Sequence, residues 1–122
     1  MPRKISSKGA IRKADNLFSQ LIRSIGYCEH CGRTSSEVQL QCAHWIGRRF
    51  RNTRWDPDNA FSLCAGCHMW FTDHPTEFGR WAIGMRGEET YQRLREAAEQ
   101  VRKLDVEDEI DILEELLAEV DV

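Results

Sequence analysis

The chain has 122 residues, 41% of them hydrophobic and 30% charged, with a formal net charge of −3. That length suits a single domain with a modest core, and no apolar run is long enough to cross a bilayer, so a soluble cytoplasmic protein is expected. The near-neutral balance conceals a division: residues 1–54 carry eleven Lys or Arg against three Asp or Glu, and the remainder six against seventeen, joining a half suited to phosphate to a half that repels it.

In chain order, residues 1–9 read as a flexible basic leader with no apolar signal core. Over residues 10–24 the apolar positions Ile11, Ala14, Leu17, Phe18, Leu21 and Ile22 recur at helical spacing, and Gly26 ends the helix. Val38, Leu40 and Cys42 then alternate with polar neighbours as a short strand does, with His44 near its end. Residues 47–58 are polar, Arg-rich and carry the turn signal Asp56-Pro57-Asp58, which makes them a loop or the tip of an irregular hairpin. Residues 59–63 lead into a second cysteine pair, where another helix begins. His74-Pro75-Thr76-Glu77 reads as a turn and helix start, with Phe78, Trp81, Ala82 and Met85 on one face until Gly84 and Gly87 weaken it. Residues 88–104 form a further helical stretch, with Tyr91, Leu94, Ala98 and Val101 on one side. In the tail, Val106, Ile110, Leu113, Leu117 and Val120 step by four and three like a heptad seam, opposite an acidic face. Such a helix either packs on the body of the protein or serves as a dimerising or partner-binding helix, and a homodimer through it is one expectation.

The cysteines carry the strongest signal. Cys28-x2-Cys31 and Cys64-x2-Cys67 are separated by 32 residues, and two such pairs present four thiolates to one tetrahedral zinc ion. In a reducing compartment they are better read as metal ligands than as disulfides, and Cys42 is the spare. A zinc holding both pairs closes the intervening chain into a loop and draws His44, Asn59 and His68 together. His30, inside the first pair, reads as exposed and incidental. Beside the suspected site, Arg48, Arg49, Arg51 and Arg54 place four positive charges within seven residues, a density that suits nucleic-acid phosphates. Trp45, Trp55, Trp70 and Trp81 read as core around the zinc, although Trp45 and Trp55 flank the arginines and suit base stacking as well.

Cutting a phosphodiester needs a base to deprotonate water, a cation to stabilise the phosphate and the departing oxygen, and groups that hold both. A neutral histidine suits the base near neutral pH, an asparagine can orient it or lend an oxygen to a metal, and a second histidine can bind a metal. His44, Asn59 and His68 supply that set.

These residues resemble a known family. Cys28-x2-Cys31, then His44, then Asn59-Ala60-Phe61-Ser62-Leu63-Cys64-x2-Cys67-His68, is similar to the pattern of HNH endonucleases, whose fold is a two-stranded hairpin and a helix around one catalytic metal. Lys13-Ala14-Asp15-Asn16-Leu17-Phe18-Ser19 with Ile22-Arg23, then Cys42-Ala43-His44-Trp45, Asp58-Asn59 and Glu77-Phe78 leading to Gly84 and Gly87, is similar to the NinG/Rap-type recombination endonucleases of lambdoid and related phages. The likeness covers residues 10–95 and leaves the acidic tail aside.

The resemblance implies an α+β fold: a zinc-stapled ββα-metal (HNH) core with an N-terminal helix and C-terminal helices. Residues 10–104 would be the nuclease domain, between the leader and the acidic helix of residues 105–122. It implies a phage-encoded DNA endonuclease acting in the bacterial cytoplasm on branched intermediates such as Holliday junctions and D-loops. His44 would be the general base, Asn59 the residue that orients it, and His68 a ligand of a catalytic Mg2+ or Mn2+. Cys28, Cys31, Cys64 and Cys67 would hold structural Zn2+. Many HNH enzymes place Asp or His, a metal ligand, immediately before the base; here that position is Ala43, and His74, Asp73 and Gln41 are candidates to replace it. Related sequences often carry Asn at the positions of His68 and His74, so which of the two holds the metal stays open. Two other classes fit the same residues: a zinc-containing DNA-binding module without catalysis, and an accessory factor of recombination or DNA packaging that acts through the acidic helix.

Overall fold

A computed structural model describes residues 8–101 and 103–120; of the basic leader, only Lys8 and Gly9 are among them. The amphipathic spacing of the first segment becomes α1 (Lys8–Arg23), which buries Ala14 and Phe18. The chain leaves α1 through Gly26 at φ +87°, a left-handed value that side chains other than glycine adopt at a cost. β1 (Leu40–His44) and β2 (Ala60–Cys64) pair antiparallel, with Leu40 opposite Cys64 and His44 opposite Ala60.

The connection expected as a loop or the tip of an irregular hairpin joins the two antiparallel strands and contains one helical turn, α2 (Arg51–Arg54), and a 3-10 turn over Pro57–Asn59, where Asp56 Oδ1 accepts the Asp58 amide at 3.0 Å. α3 (Ala65–Asp73) begins at the second cysteine pair, its N-cap being Cys64. In α4 (Pro75–Arg86), Pro75 occupies the first turn, where its missing N–H leaves no hydrogen bond unmade. Gly84 does not interrupt this helix, which stops at Gly87 with φ +92°. α5 (Glu88–Glu99) is shorter than the expected stretch to residue 104. Val101, expected on its buried side, is fully exposed, so no core contact holds another turn, and Asn52 Nδ2 caps the helix end by donating to the carbonyls of Ala97 (3.0 Å) and Gln100 (2.9 Å). α6 (Val106–Val120) completes the described chain.

The fold is mixed α+β, with the hairpin between two helical layers. Strand alternation puts Gln41, Ala43, Phe61 and Leu63 on one face and Cys42, His44, Ala60 and Ser62 on the other. The first face packs with Phe71 of α3 and Ala82 of α4, bordered by Phe78 and Trp81. Toward the second, Ala14 and Phe18 of α1 meet Trp55, Ala60 and the α6 residues Val106, Ile110 and Leu113. The tail therefore packs on the body, and the first three positions of its seam face α1. Each large apolar side chain buried this way stabilises the fold by about 1.5–3 kcal/mol.

Every residue of β2 is buried. Its outer edge is covered by the first cysteine pair: Glu29 N–H donates to the Ser62 carbonyl, and its carboxylate accepts the Ser62 amide, both at 2.8 Å. β1 has β2 as its single strand neighbour among the described residues. No described helix is long and apolar enough to cross a membrane.

Candidate functional site

The two cysteine pairs meet. The sulfurs of Cys28, Cys31, Cys64 and Cys67 all lie within 4.8 Å of one another, and Cys31 Sγ is 3.9 Å from Cys64 Sγ. A tetrahedral ion with bonds of about 2.3 Å to sulfur needs sulfurs roughly 3.8 Å apart, so the cluster fits zinc. The amides of Cys31 and Cys67 point at Cys28 Sγ and Cys64 Sγ, each at 3.4 Å. Burial pushes the Cys28 thiol up, but backbone amides of Cys31, Cys64 and His30 outweigh it and bring the thiol down to about 7, while burial and the neighbouring sulfurs push the Cys67 thiol up. Cys42 stands apart on β1, where burial raises its thiol to about 12.

His30, read as incidental, is exposed but not idle. Its Nδ1 lies 3.3 Å from Cys67 Sγ, and its ring packs 4.6 Å from Phe71 and edge-on to Trp81 at 5.6 Å. Its position inside the first cysteine pair was the available signal.

His44 and His68 reach one cleft of about 730 Å³, which also has walls from α1 and from the loop at Gly47 and Arg48. His44 Nε2 lies 2.8 Å from the carbonyl oxygen of Arg54. A carbonyl only accepts, so Nε2 carries the proton and Nδ1 keeps its lone pair. Burial lowers the pKa of His44 below 6.5, against the pull of the Arg54 carbonyl, and the Arg48 and Arg54 charges lower it further. The ring is therefore neutral near pH 7, as a general base must be. His68, in the first turn of α3, donates from Nδ1 to Gln41 Oε1 at 2.8 Å, which leaves Nε2 unprotonated; burial lowers its pKa too.

Asn59 is fully buried and acts on the loop. Its Oδ1 accepts the Ile46 amide at 2.7 Å, and Nδ2 donates to the carbonyls of Ile46 (2.9 Å) and Thr53 (3.0 Å). Asn59 thus fixes the segment whose Arg54 carbonyl holds His44, and its amide makes these bonds instead of one to the imidazole.

The residues expected as alternative metal ligands to position 43 lie in different places. His74 and Asp73 are exposed at the α3–α4 junction and do not line the cleft; His74 Nδ1 is bonded to the Trp70 carbonyl at 2.7 Å and its ring stacks on Trp70 at 4.1 Å. Gln41 does line the cleft, on the same strand face as the buried Ala43.

The arginines also divide. Arg48, Arg49 and Arg51 are exposed, with Arg49 lying over the Phe50 ring at 4.6 Å. Arg54 is half-buried and grips Asp15 of α1 in a fork, Nε to Oδ1 at 2.9 Å and Nη2 to Oδ2 at 2.6 Å, while Trp55 Nε1 donates to the same Oδ1 at 2.9 Å. Burial would raise the Asp15 carboxyl, but the bonds from Arg54 and Trp55 and the Arg48 charge hold it below its usual value. Sequence reading missed Asp15; the signal was a single acid within the basic first 28 residues.

Trp55 is buried, Trp45 stacks on Tyr91 at 5.0 Å, and Trp81 lies among Phe61, Phe71 and Phe78, whereas Trp70 is 45% exposed. With both Asp15 oxygens engaged, the cleft offers, among the described residues, two ring nitrogens without a protein bond, His44 Nδ1 and His68 Nε2, and no free carboxylate. Mg2+ and Mn2+ favour oxygen ligands, so these residues alone do not complete a site for either. Comparison of the chain with family models, with curated proteins and with solved structures gives no significant match.

Proposed function

We propose that this protein is a zinc-stapled DNA endonuclease of the HNH type, phage-encoded and working in the bacterial cytoplasm on branched recombination intermediates. One observation carries the reading: His44 and His68 line one cleft, each with one nitrogen bonded to protein and the other without a partner among the described residues. The succession of β1, β2 and α3 and the sequence resemblance support it; the choice of junctions or D-loops rests on the resemblance alone.

In this scheme His44 Nδ1 takes the proton of a water attacking the phosphorus, while Nε2–H stays on the Arg54 carbonyl, which steadies the imidazolium that forms. His68 Nε2 would be the protein's ligand for a divalent cation. Such a cation, when bound, neutralises charge on the phosphate and the departing oxygen. The four cysteines hold the hairpin and α3 in register and take no part in the chemistry.

The second reading, a zinc-containing DNA-binding module or recombination and packaging accessory protein without catalysis, is favoured by the buried Ala43 and the engaged Asp15. Incubating the zinc-loaded protein with Mg2+ or Mn2+ and synthetic junction, flap and duplex DNA, beside His44→Ala, separates the two. Cleavage by wild type and not by the variant supports the nuclease; binding without cleavage by both leaves the module.

A further inference from the structure

The density of arginines over residues 48–54 points to that loop as the DNA surface, yet α1 faces the same cleft. Asn16, Ser19 and Arg23 lie along one edge of α1 at helical spacing and line the cleft, as Arg48 does from the loop. Arg23 is held in place: its Nε donates to the Ser19 carbonyl at 3.2 Å and to Ser19 Oγ at 3.0 Å. Its terminal nitrogens have no partner among the described residues. Arg48 is similarly available, its side chain 62% exposed and 3.9 Å from an Asp15 carboxylate that Arg54 already neutralises. The Cys42 thiol, which lines the same cleft, feels both the Arg23 and the Arg48 charge.

We propose that Arg23 and Arg48 form a two-sided clamp on the backbone phosphates of a nucleic-acid strand, with Asn16 and Ser19 hydrogen-bonding beside Arg23. The clamp makes α1 one wall of the strand path. Guanidinium groups suit phosphate because their donors match its oxygens in pairs. Two of them on separate elements, with the histidines lining the same space, fit a polyanion that runs through the cleft better than a single small anion. The clamp takes its occupant from the nuclease reading, and its test is a binding measurement that needs no cleavage.

Anisotropy titrations of the full-length, zinc-loaded protein with fluorescein-labelled single-stranded and duplex DNA, repeated over a range of KCl, read the clamp directly. Arg23→Ala is expected to weaken binding severalfold and reduce the salt slope by about 0.7–0.9, the value of one lost phosphate contact. Arg23→Lys, which keeps the charge, should keep most of the slope. Zinc content and melting temperature should not move, because the side chain is exposed. An Arg23→Ala slope and affinity equal to wild type overturns the clamp, even if DNA is cleaved. So does a wild type that ignores DNA, whether or not it binds a labelled polyglutamate instead. An Arg23-dependent slope without cleavage keeps the clamp and removes the nuclease.

Discussion

His44 and Arg54 are joined by one hydrogen bond, 2.8 Å from the imidazole Nε2 to the Arg54 carbonyl oxygen. Arg54 is itself anchored through its side chain, which grips Asp15 on α1. The tautomer of the proposed base thus depends on an ion pair between residues 39 positions apart, and the His44 ring rests 5.3 Å from Phe18 on that same helix.

A pH profile follows from His44. Its pKa is held below 6.5, first by burial, so if His44 is the base as proposed, cleavage should rise with pH along an acid limb centred below 6.5. The same shift acts on stability: the unfolded chain binds the proton more readily, so stability falls as pH drops below 6.5 and levels off below the folded pKa. Single-turnover rates and thermal melts between pH 4.5 and pH 8 check both limbs. An acid limb centred above 6.5 would assign the base elsewhere.

Asp15→Ala should damage the site out of proportion to its distance from the chemistry. It removes both oxygens that receive Arg54 and Trp55, and loss of charge-assisted bonds at a half-buried site costs about 1.5–3 kcal/mol. The depressed Asp15 pKa means its stabilisation is present above about pH 3.8 and is lost as pH falls through the folded value. The measurements are a melt, expected several degrees lower, and the 15N shifts of His44, expected to show a mixture of tautomers.

Much of this arrangement was legible where a period or a spacing carried it. α1, β1 and α6 follow from apolar repeats of 3.6 and 2, and the cysteine cluster from two cysteine pairs. The turn at Arg51–Arg54 was not legible, because Asn59 and Asn52 hold its surroundings through bonds to distant backbone, and no local pattern records that. Arg54 looked like a phosphate contact because charge alone does not show that a partner lies on another helix. The Asn59 side chain was expected to orient His44, but its bonds run to the loop, a distinction only coordinates make.

The cysteine cluster should bind one zinc per chain and make folding depend on it. Cys28→Ser removes a fully buried ligand, and a chelator should produce the same state, since metal binding and folding are coupled in small domains. Native mass spectrometry gives the stoichiometry, and far-ultraviolet circular dichroism with and without chelator reads the fold. A chain that melts identically without metal would reduce the cluster to packing.

Arg48 and Arg54 should part company in mutagenesis. Arg48→Ala with Arg49→Ala removes exposed charges, so DNA binding should lose about 0.9 of salt slope for each phosphate contact given up, with the melting temperature unchanged. Arg54→Ala should instead lower the melting temperature, because it strands Asp15 in a half-buried position. If Arg54→Ala flattened the salt slope with no cost in stability, the ion pair with Asp15 would not be the main use of that side chain.

Leu113 tests what α6 is for. It is 1% exposed and packs in the cluster shared by Phe18, Val106 and Ile110, so Leu113→Ala should cost about 2–5 kcal/mol. If the seam closes on α1 of its own chain, the melting temperature of wild type and variant should not depend on protein concentration. A homodimer through α6 would have to use the exposed Ile112 and Val120 or exchange the helix between copies, and either route makes melting concentration-dependent. Light scattering on the full chain and on a chain ending at Leu104, with melts over a hundredfold dilution, distinguishes the two. A truncated chain that keeps its melting temperature would mean that the contact between α1 and α6 contributes little to the fold.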